Sequence, residues 1–351
     1  MIDTALVTGG SGFVALEIIQ QLLAGGCRVR TTVRDLRKEA KVHPLKHLKT
    51  RFPEQLQIFE ANLLSSRSFD TALQGCTVVY HVASPFLLPE QIKDRRRQLF
   101  EPAVNGTRNV LEAVNRAPSV NRVVMTSTIS AIFGDYIDVR QMKGETLTEE
   151  YFNTSSTLET YPYHFSKVEA EKEAWRIAKR QSRWSFVTIN PGLILGPSLT
   201  SASNSGSLFL LDEMLRGFFF YGLPDWWMAT VDIRDAARAH ILAAQNAAAS
   251  GRYILAETEM TSLLEMSQIL RKVHKYPWLL PKHQLPNWLV MTFGPLFGLS
   301  RRLMRTHLGI HFKLDNSRSI NELGVIYRPL EQTLIDHYQS WLELRKGKRS
   351  F

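Results

Sequence analysis

A glycine-rich turn held between a short apolar run and a helical pattern constrains this chain more than any other stretch. Residues 4–33 read TALVTGGSGFVALEIIQQLLAGGCRVRTTV. Ala5 to Val7 is the apolar run. Phe13, Leu16, Ile19, Leu22 and Leu23 then recur with helical spacing until Gly25-Gly26 stops them, and Val29, Thr31 and Val33 alternate as a second strand. Strand, glycine turn, helix and strand in this order open a dinucleotide-binding fold. Gly9 permits the tight turn, and Gly12 removes the Cβ that would block a pyrophosphate. Ala15 lets the helix lie close to the sheet. Gly9, Ser11, Gly12 and Phe13 are therefore the candidate phosphate cradle, with free N–H groups of the helix start to receive the charge.

The remaining pattern alternates strands and helices at ordinary connection lengths. Strands are expected at 56–59, 78–82, 123–125, 185–189 and 253–255, and helices at 36–51, 68–74, 98–116 and 163–181. Residues 231–246 read as a return to the main sheet through a short element and an alanine-rich helix. The fold class is α/β: a doubly wound, mostly parallel sheet with a smaller, mainly helical C-terminal substrate lobe. The expected division places 1–190, with 231–256 returning to it, in the dinucleotide-binding domain. It places 191–230 and 257–345 in the substrate lobe, and leaves 346–351 as a basic tail.

Region 134–160, rich in acids and hydroxyls, reads as a surface excursion. The run 285–299, LPNWLVMTFGPLFGL, is too short and too broken to span a membrane, which takes roughly 20 residues. A substrate lid or lobe core is its expected role, with peripheral membrane contact as the alternative. FFFYG at 218–222 and Trp226-Trp227 are expected to line an apolar pocket or fill the junction between lobes.

The 351 residues carry a net charge of +10. Basic residues gather after the second strand, at 93–97 and at the C-terminus. No aromatic–basic interleaving or reading module accompanies them, so nucleic acid is not an expected partner. Cys27 and Cys76 read as buried free thiols, and no metal-ligand spacing occurs. MIDTALV lacks the features of a signal peptide, so a cytoplasmic chain beginning at this strand is expected.

The candidate chemistry lies in Tyr163 and Lys167, four apart and so on one helix face. A neighbouring ammonium lowers a phenol's pKa, and the pair can then pass a proton. Thr128, just beyond a strand end, supplies a hydroxyl for a substrate oxygen. Ser127 is the alternative donor. Tyr161, six residues from Lys167, is expected to point elsewhere.

These residues sit in longer stretches: VTGGSGFVA (7–15), VRTTVRD (29–35), GCTVVYHVASP (75–85), PAVNGTRNVLEA (102–113), RVVMTSTISAIFG (122–134), YHFSK (163–167), INPGLILGP (189–197) and VDIRDAARAHILA (231–243). With them the chain resembles the extended short-chain dehydrogenase/reductase superfamily. It is most similar there to the group of dihydroflavonol reductase, cinnamoyl-CoA reductase and related ketone, aldehyde and methylglyoxal reductases. The resemblance covers about the first 245 residues and is looser beyond. It implies a Rossmann fold, Tyr163 as the acid that protonates the reduced oxygen, and Lys167 as the group that tunes it and binds the nicotinamide ribose. Thr128 stands where the family usually has serine. Pro191, Gly192 and Leu193 would lie on the nicotinamide side, Asn62 and Leu63 beside the adenine, and Val82, Ala83, Ser84 and Thr126 along the cofactor. Asn105 would support water near the lysine. Pro85, Phe86, Ile129, Phe220, Trp226 and Trp227 are the expected substrate-pocket residues.

Cofactor choice rests on the end of the second strand, where Arg34 and Asp35 leave the matter open by composition. The basic run behind them tips the local field towards phosphate, and the family uses this arginine with a following lysine, here Lys41 or Lys38. NADP(H) is the expected cofactor. The expected function is NADPH-dependent reduction of an aldehyde or ketone on a fairly apolar or aromatic substrate, by a monomer or homodimer. A 3β-hydroxysteroid or sterol-type dehydrogenase and a non-catalytic NADPH-sensing regulator are the alternatives.

Overall fold

A computed structural model describes residues 2–85, 87, 91–200 and 205–346. Phe86 and the tail beyond Lys346 lie outside the described residues. In chain order β1 (Thr4–Val7), α1 (Phe13–Ala24), β2 (Arg28–Val33), α2 (Glu39–Arg51), β3 (Leu56–Glu60), α3 (Asp70–Leu73), β4 (Val78–His81), α4 (Glu101–Arg116) and β5 (Arg122–Thr126) build the first half. A two-residue strand β6 (Thr146–Leu147), the long α5 (Pro162–Ala178), β7 (Ser185–Pro191) and β8 (Leu193–Leu195) follow. Then come α6 (Gly206–Leu215), β9 (Trp227–Met228), β10 (Thr230–Asp232), α7 (Ile233–Gln245), β11 (Gly251–Leu255), β12 (Thr261–Ser262) and α8 (Leu263–Arg271). The chain closes with α9 (Asn287–Phe293), α10 (Arg301–His307), β13 (Lys313–Leu314), α11 (Ser317–Asn321) and α12 (Leu330–Arg345).

Seven strands form one parallel sheet in the order β3-β2-β1-β4-β5-β7-β11. Period-two alternation sends Ala5, Val7 and Val124 to one face and Leu6, Val123 and Met125 to the other. Helices α1, α2 and α7 cover the first face through Leu16, Ile19, Leu45, Ala237 and Ile241. Helices α3, α4 and α5 cover the second through Leu73, Val110, Leu111, Ala174 and Ile177. Both faces are thus dry, which is why the central strands read as continuous apolar runs. The strand order reverses between β1 and β4, so a crevice opens beyond their carboxyl ends. Thr8 braces that crevice. Its hydroxyl accepts from the N–H groups of Val82 and Ala83 at 3.1 and 3.0 Å, and meets His81 Nδ1 at 3.1 Å.

Four expectations need correction. Thr230–Asp232 pairs with β8 rather than with the main sheet, although Val231 packs in the same core as α7 and β11. Region 134–160 is no surface excursion. Tyr136, Val139, Met142 and Leu147 are buried with Ile254, Met260, Phe312 and Leu314, because apolar residues spaced among its acids face inward. Residues 285–299 do not form a lobe core: only Val290 and Gly294 are buried, while Trp288, Phe293, Leu296 and Phe297 face solvent. In 218–222, Phe218, Phe220 and Tyr221 are likewise exposed. Left-handed Gly217 (φ 83°) and Gly222 (φ 135°) flank a turn that throws them outward. Cys27 and Cys76 are buried free thiols.

Candidate active site

The turn after β1 is shaped by what its glycines lack. Gly9 takes φ 72°, a conformation other residues adopt only with strain, and a Cβ there would lie 2.9 Å from Ala83 Cα. A Cβ on Gly10 would sit 2.1 Å from Thr31 Oγ1, so the turn also lies hard against β2. Gly10 carries a constraint that sequence spacing did not single out. Gly12 caps α1, and Ala15 is fully buried where the helix approaches the sheet.

Above the sheet a cleft of about 870 Å³ opens. Gly9, Ser11, Gly12, Phe13, Arg34, Lys41, Leu63, Val82, Ala83, Ser84, Thr126, Pro191, Gly192 and Leu193 line it, and so do Thr128, Tyr163 and Lys167. The substrate-side residues Pro85, Ile129 and Trp226 are in the same lining. Three expected residues are placed elsewhere. Asn62 is exposed, and its side-chain oxygen accepts from Leu64 N at 3.0 Å, closing a local turn. Phe220 is 65% exposed on the outside of the lobe. Trp227 lies in β9 beside β12, its indole donating to Asp225 at 2.9 Å.

At the cofactor end of the cleft, Arg34, Lys38 and Lys41 converge. Burial first, then the charges of Lys38 and Arg34, hold the Lys41 ammonium below its ordinary pKa. The competing carboxylate is engaged elsewhere: Asp35 accepts from Arg37 Nε at 2.9 Å and NH2 at 3.2 Å. Asp35 lines the same end of the cleft, but with its carboxylate paired to Arg37 the three cations make an anion site, and the glycine turn beside it is a cradle that side chains would fill. The residues present fit a dinucleotide carrying an extra phosphate.

At the other end, Tyr163, Lys167 and Glu171 follow one another every four residues along α5. Lys167 is buried and donates to Thr126 O at 2.8 Å. Burial draws its pKa down to about 8, against the opposing pull of Glu171. The expected lowering of the Tyr163 phenol is not the net result, because burial pushes it up to about 12. At neutral pH the phenol is thus protonated, the state required of a proton donor. Thr128 lines the cleft at the end of β5, its hydroxyl capping the turn at Ser130 N, 3.2 Å away. Ser127, the alternative donor, lines the same cleft but has its hydroxyl engaged. Its hydroxyl is buried and donates to Glu171. Asn105 accepts from Arg108 at 3.2 Å.

Glu171 is the hub of a buried network that sequence reasoning missed. It accepts from Arg252 Nε at 2.6 Å and from Asn190 Nδ2 at 3.0 Å, and Asn190 also donates to Thr128 O at 3.1 Å. Arg252 continues to the carbonyls of Glu149, Tyr151 and Ala131. The strand end that carries Thr128 is therefore fixed to α5 by charge-assisted hydrogen bonds.

The cleft is further walled by Ile129, Phe133, Tyr136, Trp226, Met228 and Leu303, with Tyr161, His164 and His307 as polar members. Tyr161 points away from Lys167, as expected, but into this wall: its hydroxyl donates to Asp135 Oδ1 at 2.7 Å. Asp135 also accepts from Arg302 at 2.7 Å and Thr306 at 2.9 Å. Burial raises the Asp135 pKa, but these donors outweigh it and hold the carboxyl below its ordinary range. His307 stacks on Trp226 at 5.7 Å. Nothing in the spacing of residues 300–310 announces a cleft wall. His164, in contrast, adjoins Tyr163 in sequence and was open to notice.

Comparison with known proteins places this geometry. The family model described as "NAD dependent epimerase/dehydratase family" matches residues 5–256. Cinnamoyl-CoA reductase CAD2 of Medicago truncatula is 33% identical over 97% of this chain and 96% of its own length. Anthocyanidin reductase of Vitis vinifera is 36% identical over 78% of this chain and 81% of its own. Among solved structures, the yeast methylglyoxal/isovaleraldehyde reductase Gre2 complexed with NADPH superposes with a TM-score of 0.79 at 25% identity. That match covers 98% of this chain and 99% of the reductase.

Proposed function

The chain belongs to the NAD dependent epimerase/dehydratase family, the extended short-chain dehydrogenases/reductases, as an NADP-dependent oxidoreductase, and from that premise we propose its reaction and its site. The reaction is reduction of an aldehyde or ketone to the alcohol, with Tyr163 as proton donor, on a substrate whose body is largely apolar. The observation that carries this reading is the shared cleft: the phenol of Tyr163, the ammonium of Lys167 and the hydroxyl of Thr128 line the same cavity as the glycine turn and the Arg34–Lys38–Lys41 cluster.

NADPH, when bound, supplies the hydride that reaches the carbonyl carbon. The chain's own groups do the rest. Gly9, Ser11, Gly12 and Phe13 receive the pyrophosphate, and Arg34 with Lys38 and Lys41 receives the extra phosphate. Thr128 Oγ1 donates to the carbonyl oxygen and holds it towards Tyr163. The Tyr163 hydroxyl gives its proton to that oxygen as negative charge develops there. Lys167 stabilises the phenolate that remains. Pro191, Gly192 and Leu193 back the nicotinamide side. Residues 191–230 and 257–345 serve as the substrate lobe, with 1–190 and 231–256 as the cofactor domain. The apolar wall excludes water and favours an aromatic or aliphatic body. His164, neutral because burial lowers its pKa to about 4, has a buried Nδ1 with no protein partner among the described residues. It is available to a second polar atom of the substrate.

The test is Tyr163→Phe. NADPH oxidation with aromatic aldehydes and diketones is expected to fall by about 100-fold or more. NADPH affinity, measured by fluorescence titration, is expected to stay within about threefold of wild type. Turnover undiminished in this variant would remove Tyr163 as the donor. A wild-type chain that binds NADPH but reduces no carbonyl would favour a sensing role.

A further inference from the structure

Large apolar side chains are left in water mainly in one part of this molecule. Trp288 is 67% exposed, Leu296 79% and Phe297 73%, and Phe218, Phe220, Tyr276, Trp278 and Phe293 join them. These segments are neighbours. Leu223 N donates to His283 O at 3.2 Å and Leu285 N to Leu223 O at 2.7 Å, which ties the turn at 218–222 to the strand-like stretch entering α9. The Tyr276 and Trp278 rings lie 5.3 Å apart, and Leu279 packs beside Gly217. Helix α9 buries Val290 alone, and the turn after it ends in left-handed Gly298, leaving Leu296 and Phe297 at the rim. Soluble surfaces rarely gather apolar groups in this way unless something covers them.

The charge around the patch says what covers it. From Met266 to Leu314 the chain holds eight arginines and lysines and no aspartate or glutamate. Lys272, Arg302 and Lys313 pair with carboxylates from elsewhere in the fold. Lys282, Arg301 and Arg305 are exposed and have no carboxylate partner among the described residues. A second copy seated face to face would oppose cation to cation, since an isologous contact sets the same patch against itself. An anionic bilayer meets both demands: headgroup charge for the arginines and lysines, and the interfacial zone for tryptophan, tyrosine and phenylalanine. No described helix is long and apolar enough to cross a membrane, so this contact lies in the interface plane.

We propose that residues 218–222 and 276–305 form a peripheral docking surface for an anionic phospholipid bilayer. Trp288, Leu296 and Phe297 enter the headgroup region, and Arg301 and Arg305 engage lipid phosphates. The contact is reversible and weakens with salt, as exposed charges are screened.

The experiment is flotation of the full chain with vesicles of phosphatidylglycerol and phosphatidylcholine, and with phosphatidylcholine vesicles alone. Binding to the mixed vesicles, several-fold weaker on phosphatidylcholine alone and weaker in high salt, is expected. Trp288→Ala with Phe297→Ala is expected to lower the binding constant about tenfold or more. Arg301→Glu with Arg305→Glu is expected to abolish the preference for anionic lipid. Both double variants should reduce a water-soluble aldehyde at the wild-type rate, which shows them folded. No flotation with the anionic vesicles overturns the proposal, and so does flotation that neither double variant changes. Concentration-dependent dimerisation in sedimentation, lost in the Trp288→Ala/Phe297→Ala variant while vesicles are ignored, assigns the patch to a second copy instead.

Discussion

Lys167 sets the pH behaviour of this site more directly than Tyr163 does. Burial pushes the phenol up to about 12 and pulls the ammonium down to about 8. Through the physiological range the phenol stays protonated, while the lysine begins to lose its charge just above neutrality. In the proposed mechanism reduction needs the cation, so kcat/KM for a soluble aldehyde is expected to be level near neutral pH and to fall above about pH 8. Since kcat/KM reports the free enzyme, the limb belongs to the Tyr163–Lys167 pair before substrate binds. Lys167→Arg, whose guanidinium does not titrate in this range, is expected to retain some activity and move the limb upward. A limb that stayed near pH 8 in that variant would assign it to another group. At this scale the sequence was legible where spacing carries chemistry. Tyr163 and Lys167 were readable from one interval of four, and the same interval continued to Glu171, where the reading stopped. Ser127 and Thr128 were indistinguishable as letters. Both line the cleft, and only the third dimension shows that the Ser127 hydroxyl is already given to Glu171.

Helix α5 acts as a beam that carries Tyr163, Lys167 and Glu171 on one side. The Glu171–Arg252 pair joins it to the edge strand β11 at 2.6 Å, with both side chains almost wholly buried. Removing one partner from such a pair leaves a charge stranded away from water. Arg252→Met is expected to cost about 3–5 kcal/mol in urea unfolding. The double replacement Glu171→Leu with Arg252→Met is expected to recover much of it, because no lone charge remains. A single replacement costing under about 1 kcal/mol would mean water reaches the pair. Elements with strong periodicity were legible: the strands, α1, α4 and α5 follow from apolar spacing. Region 134–160 was not, since its turns are short and its inward residues are separated by acids whose partners lie far along the chain. Asp135 looks like a surface acid in sequence, yet Arg302 meets it from 167 residues away. Strands of two residues, such as β6 with β13, carry no periodicity to read.

The molecule as a whole stores several neutral histidines in its interior. Burial lowers His81 to about 3 and His240 and His337 to about 4. Unfolding restores each to its ordinary value near 6.5, so below that pH the unfolded chain binds protons that the folded one refuses. Stability is therefore full above about pH 6.5 and falls as pH drops towards 4, by up to about 1.4 kcal/mol per pH unit for each histidine. Urea midpoints measured from pH 7.5 down to pH 5 are expected to decline steadily. His240→Gln should flatten the slope, and a midpoint independent of pH would show these rings already solvated. The meeting of the glycine turn and the tyrosine helix was legible at this scale, because a parallel sheet gathers strand ends far apart in sequence at one crevice. What remained hidden is the Arg252 brace, 81 residues beyond the carboxylate it holds. That distance gives the enzyme an order of completion. A chain emerging from the ribosome has its nucleotide cradle early, but Thr128 and Tyr163 are not held to their working positions until β11 has been made and docked. Turnover is then a report on the finished chain, because Pro191 to Leu193 in the cleft lining and the Arg252 brace behind Thr128 both come from beyond its midpoint.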